Sequence, residues 1–245
     1  MTLHSLYRGI ITPFKDFVFP PLCFLCGSRL LSDEVRICAR CWNSIRPVRR
    51  GDYTFTVLLE RFAAGGAVDA FQAAYYFEEG GSFQRIVHFL KYDAVTVFGV
   101  ELGLRLAKVL LPDPEMEHLD AVIPIPLHKS KLRERGYNQS ESICRGIARV
   151  LQRPVAADII RRSKRTVSQT HLSAEERRSN VGDAFEVRPK EYGRVSGKSL
   201  LLVDDVITTG STIESAARTL KKAGARRIVA ASAGLAMLDV GAKVA

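Results

Sequence analysis

The sequence lacks the short motifs that mark several common nucleotide-binding folds. No Gly-x-x-x-x-Gly-Lys-Ser/Thr loop is present, and no Gly-x-Gly-x-x-Gly turn follows a strand-like segment. A P-loop NTPase and a conventional dinucleotide-binding domain are therefore disfavoured. Internal repeats and low-complexity tracts are absent as well.

The sequence also lacks a secretory signal and a membrane-spanning run. Its N-terminus has no basic segment followed by an apolar core and a small-residue cleavage site. No uncharged apolar stretch approaches the roughly 20 residues that span a bilayer. We therefore expect a cytoplasmic protein without a transmembrane segment, in a compartment that keeps thiols reduced. Cysteine is scarce, with an odd count of five, and four of the five cluster in two pairs, which favours metal binding over disulfides.

The overall composition is that of a soluble globular protein, with 47% hydrophobic and 25% charged residues. A chain of 245 residues is long enough for one good-sized domain plus a small module. The net charge of +10 suggests anionic partners, either phosphates or nucleic acid.

Four of the cysteines form two CxxC pairs, Cys23-Phe-Leu-Cys26 and Cys38-Ala-Arg-Cys41. Each CxxC turn aims two thiolates at one point, and two such turns supply the tetrahedral sulfur set that zinc prefers. A redox-active CxxC would not explain the second pair. Four thiolates leave no position for water, so we predict a structural Zn²⁺ that replaces the core a small module cannot build.

Two features of the N-terminal region leave alternatives open. An apolar stripe over residues 1–19 fits a helix that packs on the protein, or one that touches a membrane surface or a partner. The zinc module is basic, which fits a solvated face or a nucleic-acid contact. The arginines concerned are Arg29, Arg36, Arg40, Arg46, Arg49 and Arg50.

An apolar run followed by two acids carries the clearest chemical signal. Leu200–Val203 is typical of a strand buried on both faces, and Asp204 and Asp205 follow it directly. Carboxylates accept hydrogen bonds from a diol, and a small polar turn before a helix holds a phosphate. That turn consists of Thr208, Thr209, Gly210, Ser211 and Thr212. A sugar phosphate would satisfy both halves of such a site.

Other interpretations of the acidic turn are weaker. A receiver domain would need roughly 100 residues downstream, whereas 40 follow Asp205. A plain strand–turn–helix with acids of no function remains an alternative, although two adjacent carboxylates repel and a bare loop seldom favours them.

Two basic stretches accompany the acidic turn. The strand-like segment Asp120–Pro126 leads into the first, which fits either a solvated charge run or a loop that clamps pyrophosphate. Its candidate residues are His128, Lys129, Arg133 and Arg135. The second stretch, Arg161–Thr170, is polar and without apolar periodicity, and it predicts a mobile loop that orders on a polyanion.

Strands and helices alternate from residue 119 onward, which predicts an α/β fold with a parallel sheet and right-handed crossovers. Residues 154–160 are one of these predicted strands. We divide the chain into an N-terminal helix and zinc module (1–50), a linker (51–68) that contains several Gly and Ala residues, and an α/β domain (69–245).

The stretch Leu202–Thr212 resembles the phosphoribosyl pyrophosphate (PRPP) signature of type I phosphoribosyltransferases. Within that superfamily the chain resembles the ComF/GntX-like proteins, which are associated with DNA uptake during natural competence. This narrower resemblance rests on FPPLCFLCG with its paired CxxC, DAVIPIPLH, RERGYNQ at 133–139, and the block from Arg165 to Phe185. It implies a type I phosphoribosyltransferase fold, with a twisted, mainly parallel sheet flanked by helices, and a small zinc-ribbon-like (double zinc ribbon) module.

The resemblance also implies roles for the candidate residues. Asp204 and Asp205 would hydrogen-bond the ribose hydroxyls and, with Arg165, form the catalytic set. Residues 208–212 would cradle the 5′-phosphate, and the first basic stretch would face pyrophosphate, with Mg²⁺ bridging its oxygens to the sugar. A closing loop would contain Arg162, Thr166 and Gln169. Purine-salvage members typically carry Asp where this chain has Thr208, which disfavours hypoxanthine or guanine as the acceptor.

Three functions stay open at this point. The first is a Mg²⁺-dependent phosphoribosyltransferase with an unidentified nucleophile. The second is a sensor of PRPP or nucleotides that lacks catalysis and serves DNA uptake through partners. The third is a protein that handles single-stranded DNA through its zinc module and basic loops, with competence or recombination proteins as partners. Homo-oligomer formation and peripheral membrane contact are likewise left open.

Overall fold

The computed structural model describes residues 20–92, 96–116, 118–162 and 184–238. Within these ranges the strands are β1 (Ala70–Phe77), β2 (Ala121–Pro124), β3 (Ile160–Arg162), β4 (Phe185–Val187), β5 (Ser199–Ile207) and β6 (Arg227–Ala236). The α-helices are α1 (Ala39–Asn43), α2 (Tyr53–Gly65), α3 (Ser82–Tyr92), α4 (Thr96–Leu110), α5 (Lys129–Arg135), α6 (Gln139–Leu151) and α7 (Ser211–Lys222). Two 3₁₀ turns cover Pro114–Met116 and Pro189–Arg194.

The centre of the protein is a four-stranded sheet in the order β1–β6–β5–β2, and all of its pairings are parallel. The apolar run Leu200–Val203 lies in β5, between β6 and β2, and its four side chains are fully buried. Strand β6 is similarly apolar and pairs with both β1 and β5. The predicted parallel α/β architecture is therefore confirmed.

Alternate residues of each strand belong to two different cores, as the period of two in a strand requires. Leu201 and Val203 pack on the face covered by α3, α4 and α6. Leu200 and Leu202 pack on the opposite face, under α2, α7 and the antiparallel pair β3–β4. The sheet is thus covered on both faces, which explains why its central strands are continuously hydrophobic.

The four-cysteine module packs on the first of these faces. The Phe24 ring meets Phe89 of α3 and Phe98 of α4 edge-on, at centroid distances of 5.4 and 5.1 Å. The guanidinium of Arg105 lies 3.8 Å from the centroid of the Trp42 ring. Residues 46–48 then run antiparallel to β1 and hydrogen-bond its outer edge. The module therefore covers an edge strand that would otherwise expose unpaired backbone groups.

Three predicted segments have a different local structure. Residues 51–68, predicted as a linker, contain α2, because Phe55, Leu58 and Phe62 recur at helical spacing and bury one face. The glycines that suggested a linker end this helix instead, with Gly66 left-handed at φ 67°. The basic loop after β2 is helix α5, which His128 caps by accepting a hydrogen bond from the Ser130 N–H.

The third difference concerns residues 154–160, predicted as a strand. There only Val155 forms a bridge, with Val122 of β2, and the chain turns before β3 starts at Ile160. Pro154 has no N–H to donate, which weakens ladder formation at that point.

No described helix is long and apolar enough to cross a membrane.

Candidate active site and zinc centre

Asp204 and Asp205 are near the carboxyl end of β5, where the chain connections diverge. The chain leaves β2 through α6 on one face of the sheet and leaves β5 through α7 on the other. A crevice at such a switch point is where open α/β sheets bind ligands. The acidic pair therefore occupies the expected position for a ligand site.

Asp204 is partly buried and lies next to a second carboxylate. The Ser140 hydroxyl, in the first turn of α6, donates to Asp204 Oδ1 over 3.1 Å, and the Asp205 N–H donates to the same oxygen over 2.9 Å. Burial, and then the neighbouring Asp205 carboxylate, raise the pKa of Asp204 well above its ordinary value. When both carboxylates are ionised, the pair thus has more negative charge than its own hydrogen bonds compensate.

Asp205 is close to the end of α3. Lys91 Nζ lies 3.6 Å from Asp205 Oδ2, and both side chains are largely buried. The Tyr137 hydroxyl donates to the carbonyl of Leu90, next to Lys91. Burial raises the pKa of Tyr137 to about 12, and the charge of Asp205 adds to this effect. Helix α3 therefore contributes directly to the surroundings of the acidic pair, which the sequence interpretation missed.

The predicted phosphate turn connects β5 to α7. Thr208, Thr209 and Ser211 are exposed, and the hydroxyls of Thr209 and Ser211 lie 3.0 Å apart. Gly210 precedes the helix in a left-handed conformation, and no side chain caps the helix at this position. The first N–H groups of an α-helix have no partner within the helix. This end of α7 can therefore donate to an anion.

Gly210 also touches helix α2. A Cβ atom at this position would lie 2.8 Å from Leu58 Cδ1 and 2.8 Å from Phe62 Cε1. The turn therefore needs glycine both for its backbone angle and for its close contact with α2. The apolar spacing in residues 55–62 was the sequence signal that could have revealed this support.

The first basic stretch is divided between α5 and the start of α6. His128, Lys129 and Arg133 are exposed on the α5 segment. Arg135 is partly buried, and its Nη1 donates to Gln139 Oε1 over 3.0 Å. The structure thus brings Arg135 to the α6 end that also carries Ser140, while the other three side chains face solvent.

The predicted closing loop lies mostly outside the described residues. Arg165, Thr166 and Gln169 fall there, as does the apolar stripe of residues 1–19. Arg162 is described at the end of β3, with its guanidinium 5.4 Å from the centroid of the Phe185 ring. Arg162 pairs with Phe185 of β4, so these two described residues lie side by side.

The four cysteines of the CxxC pairs converge on one point. Their Sγ atoms all lie within 4.8 Å of one another. A tetrahedral zinc site with Zn–S bonds of ~2.3 Å places its sulfurs ~3.8 Å apart, and Cys26 Sγ lies 3.7 Å from Cys38 Sγ. Hydrogen bonds from Ser28 and then Arg40 lower the pKa of the Cys26 thiol to about 5, which favours the ligating thiolate. The donor set and its spacing fit Zn²⁺.

Most arginines of this module interact within the protein. Arg36 lies over the Phe24 ring, Arg40 donates to Cys26 Sγ and Ser28 Oγ, and Arg46 lies over the Tyr76 ring. Arg50 pairs with the buried carboxylate of Asp113. These contacts favour a packing role over a nucleic-acid surface. Direct contact with single-stranded DNA stays a prediction.

Comparison with known proteins identifies two domains. Residues 138–236 match the phosphoribosyl transferase domain, and residues 14–52 match the double zinc ribbon domain. The second match, together with the four-cysteine geometry, confirms the predicted structural zinc site.

Individual proteins resemble the chain over different shares of its length. Competence protein F of Haemophilus influenzae is 29% identical over 92% of this chain and 88% of its own length. DNA utilization protein YhgH of Escherichia coli O157:H7 is 31% identical over 150 residues, which are 58% of this chain and 63% of that relative. A solved glutamine PRPP amidotransferase from B. subtilis covers 55% of this chain and 25% of its own, at 23% identity and a TM-score of 0.38.

Proposed function

Because the chain belongs to the ComF-like family of the type I phosphoribosyltransferase superfamily and carries a double zinc ribbon, we propose that it binds PRPP at the acidic turn and transfers the phosphoribosyl group to a nucleophile. The observation that carries this proposal is the junction of β5 and α7. There Asp204 and Asp205 stand next to a glycine turn and a helix end without a capping side chain.

The two halves of the junction suit the two ends of a ribose 5-phosphate unit. The carboxylates would accept hydrogen bonds from the 2′- and 3′-hydroxyls. The exposed hydroxyls of Thr208, Thr209 and Ser211 and the first N–H groups of α7 would donate to the 5′-phosphate. The partly buried Asp204 supports a polar ligand, because hydroxyl donors would relieve the charge that burial makes unfavourable.

In the transfer, the bond between C1 and the pyrophosphate oxygen breaks, and the bond between C1 and the nucleophile forms. The electron pair of the broken bond leaves with pyrophosphate, and the proton of the nucleophile passes to solvent or to the leaving group. Mg²⁺, when bound by the carboxylates and the phosphate oxygens, would stabilise the developing negative charge. Arg135 at the start of α6 and Arg165 in the closing loop would add positive charge on the pyrophosphate side.

Two sequence features narrow the biological role. Thr208 cannot assist protonation of a purine as an Asp would, so a hypoxanthine or guanine acceptor is disfavoured. Relatives are named for competence and for DNA utilisation, and we therefore place the reaction in the use of DNA that the cell takes up.

Isothermal titration with PRPP and Mg²⁺ tests the site. We expect the wild-type protein to bind PRPP and an Asp204→Asn/Asp205→Asn variant to lose that binding. A Glu78→Gln/Glu79→Gln variant is the matched control, because it neutralises an adjacent acidic pair that is exposed outside the site. Equal PRPP affinity in the Asp204/Asp205 variant and the control would contradict the assignment.

A second measurement separates an enzyme from a PRPP sensor. Pyrophosphate release is followed after bases, nucleosides and amines are added to the protein with Mg²⁺ and PRPP. Release that depends on both the added nucleophile and Asp204/Asp205 supports transfer. Tight PRPP binding without release across the panel would instead favour a sensor.

A further inference from the structure

Lys91 lies beside the acidic pair but belongs to none of the motifs that define it. It is the last residue but one of α3, and its Nζ is 3.6 Å from Asp205 Oδ2. About a quarter of the lysine side chain and less than a fifth of the aspartate side chain are exposed. A pair this well buried is screened by solvent far less than a surface ion pair.

The acidic pair has a charge that its hydrogen bonds do not balance. Ser140 is a neutral donor to Asp204, and the N–H groups of Asp205 and Val206 donate to the adjacent carboxylates. Two adjacent carboxylates in a partly buried site repel each other, so a nearby cation stabilises them when no ligand is present. The ammonium of Lys91 meets this requirement.

The end of α3 is held in place from two sides. On one side, the first CxxC turn (Cys23–Cys26) contacts the helix. The Phe24 and Phe89 rings meet, and Arg85 Nη1 donates to the Leu25 carbonyl over 3.0 Å. On the other side, Tyr137 donates to the carbonyl of Leu90. Lys91 therefore extends from a fixed backbone rather than from a loop, which limits the positions its ammonium can reach.

We propose that Lys91 is a positioning residue of the acidic site, which holds Asp205 and balances the charge of the Asp204–Asp205 pair. Its role toward PRPP rests on the function proposed above. With Lys91 in place, Asp205 keeps one orientation, and the net charge facing the polyanionic substrate is less negative. Without it, the pocket would repel PRPP more strongly and attract divalent cations more strongly.

The proposal predicts opposite effects on two ligands. Replacing the ammonium by a neutral side chain in Lys91→Met should weaken PRPP binding with Mg²⁺ about tenfold by titration calorimetry, a change typical of a partly buried charge contact. The same variant should bind Mn²⁺ alone roughly three- to tenfold more tightly, measured by water-proton relaxation. Lys91→Arg keeps the charge and should remain within about threefold of wild type for both ligands.

A structural role of Lys91 would give a different pattern. Loss of α3 packing would lower the unfolding temperature and weaken both ligands, and unchanged affinity for both would mean that the lysine is incidental; either result overturns the proposal. In a double-mutant cycle with Asp205→Asn, the Lys91→Met effect on Mn²⁺ affinity should largely disappear, and a fully additive effect would contradict the pairing.

The two ligands also separate this proposal from the function on which it rests. If the wild-type protein binds no PRPP, the proposed function fails, while the Mn²⁺ measurements still decide the role of Lys91. If PRPP binds and Lys91→Met matches wild type for both ligands, the function stands and the role of Lys91 is wrong. A Lys222→Met variant, at the far end of α7, controls for the loss of one positive charge.

Discussion

The zinc centre groups four thiolates and the acidic turn groups two carboxylates, so each site concentrates negative charge. The two sites differ in whether their supporting residues are near or far in the sequence. All four thiolates lie between Cys23 and Cys41, in two turns and the short helix α1. Gly27 takes a left-handed conformation at φ 71°, and its N–H donates to the Cys23 carbonyl over 2.8 Å. The geometry of this cluster is therefore set locally, and the metal supplies the balancing charge.

The acidic turn takes its supports from distant parts of the chain. Asp204 receives a hydrogen bond from Ser140, Asp205 is paired with Lys91, and Gly210 rests on α2. Three helices far from β5 in the sequence thus shape one strand–turn–helix junction. The protein itself therefore balances part of the charge here, through Lys91 and Ser140.

This difference predicts the largest effect for loss of a zinc ligand. Cys38→Ser should abolish most zinc binding and unfold the module, because roughly 10 kcal/mol or more of metal-binding free energy is coupled to folding in small zinc modules. Elemental analysis should find zinc reduced from about one per chain, a ratio that four thiolates around one metal imply. Phe24 of the first CxxC turn packs on α3, which carries Lys91 beside Asp205. We therefore also expect weaker PRPP binding.

Cys144→Ala is the matched control for this variant. Cys144 is a completely buried residue of α6, outside the cluster, and burial raises the pKa of its thiol. Its replacement should keep full zinc content and reduce stability by only about 1 kcal/mol, the usual scale of a small core deletion. A Cys38→Ser protein that retains stoichiometric zinc would refute the four-thiolate centre.

The contrast also explains what the sequence could predict. The zinc site needed only the spacing of Cys23, Cys26, Cys38 and Cys41, because its ligands and turns are neighbours in the chain. The apolar run of β5 likewise revealed a buried parallel strand. Lys91 gave no comparable signal, because a lysine near the end of an amphipathic helix is ordinary, and only the sheet topology brings it to Asp205.

Helix α2 was missed for another reason. Its C-terminal Ala-Ala-Gly-Gly segment suggested a loop, although this composition also fits a helix that ends in a left-handed glycine. The basic segment after β2 has a charge pattern that fits a loop as well as a short helix, and the structure contains the helix α5. In both segments the local signal fitted two structures, and tertiary packing selected one.

The second prediction concerns the support of the phosphate turn by α2. Gly210→Ala should reduce stability by about 2–4 kcal/mol, since overpacking typically costs 1–3 kcal/mol and a left-handed alanine about 1 kcal/mol more. PRPP affinity should fall as the turn shifts away from Leu58 and Phe62. Chemical denaturation and calorimetry measure the two effects.

Gly197→Ala isolates the backbone contribution to this change. Gly197 has a φ of 72°, close to the 77° of Gly210, but a Cβ there would meet nothing within 4 Å. We expect a loss of about 1 kcal/mol from the left-handed backbone alone, with PRPP affinity unchanged. If both glycine variants lose the same stability, the contact with α2 contributes nothing, and the acidic turn is as locally determined as the zinc centre.

The smallest effect is a dependence on pH that has opposite signs at the two ends of β5. Burial beside Asp205 raises the pKa of Asp204, so folding favours its protonated form. Stability from this group is therefore full below the ordinary pKa of about 3.9 and declines as the pH rises through the raised folded value. At Asp120, a hydrogen bond from the Ser199 N–H and the nearby Lys198 lower the pKa. Its contribution is present above pH ~3.9 and is lost as the pH falls through the lowered folded value.

Two single substitutions test these opposite pH dependences of stability. At neutral pH, Asp204→Asn should raise the unfolding temperature by about 2–4 °C, the shift that ~1 kcal/mol produces in a chain of this size, while PRPP affinity decreases. Asp120→Asn should lower it by about 1–2 °C, as expected for a half-exposed ion pair. Measured by thermal unfolding across pH, the Asp204→Asn difference should shrink as the pH falls toward 4, whereas the Asp120→Asn difference should shrink only below pH ~3.9. A lower unfolding temperature for Asp204→Asn at neutral pH would mean that Lys91 and Ser140 already balance the charge of the acidic pair completely.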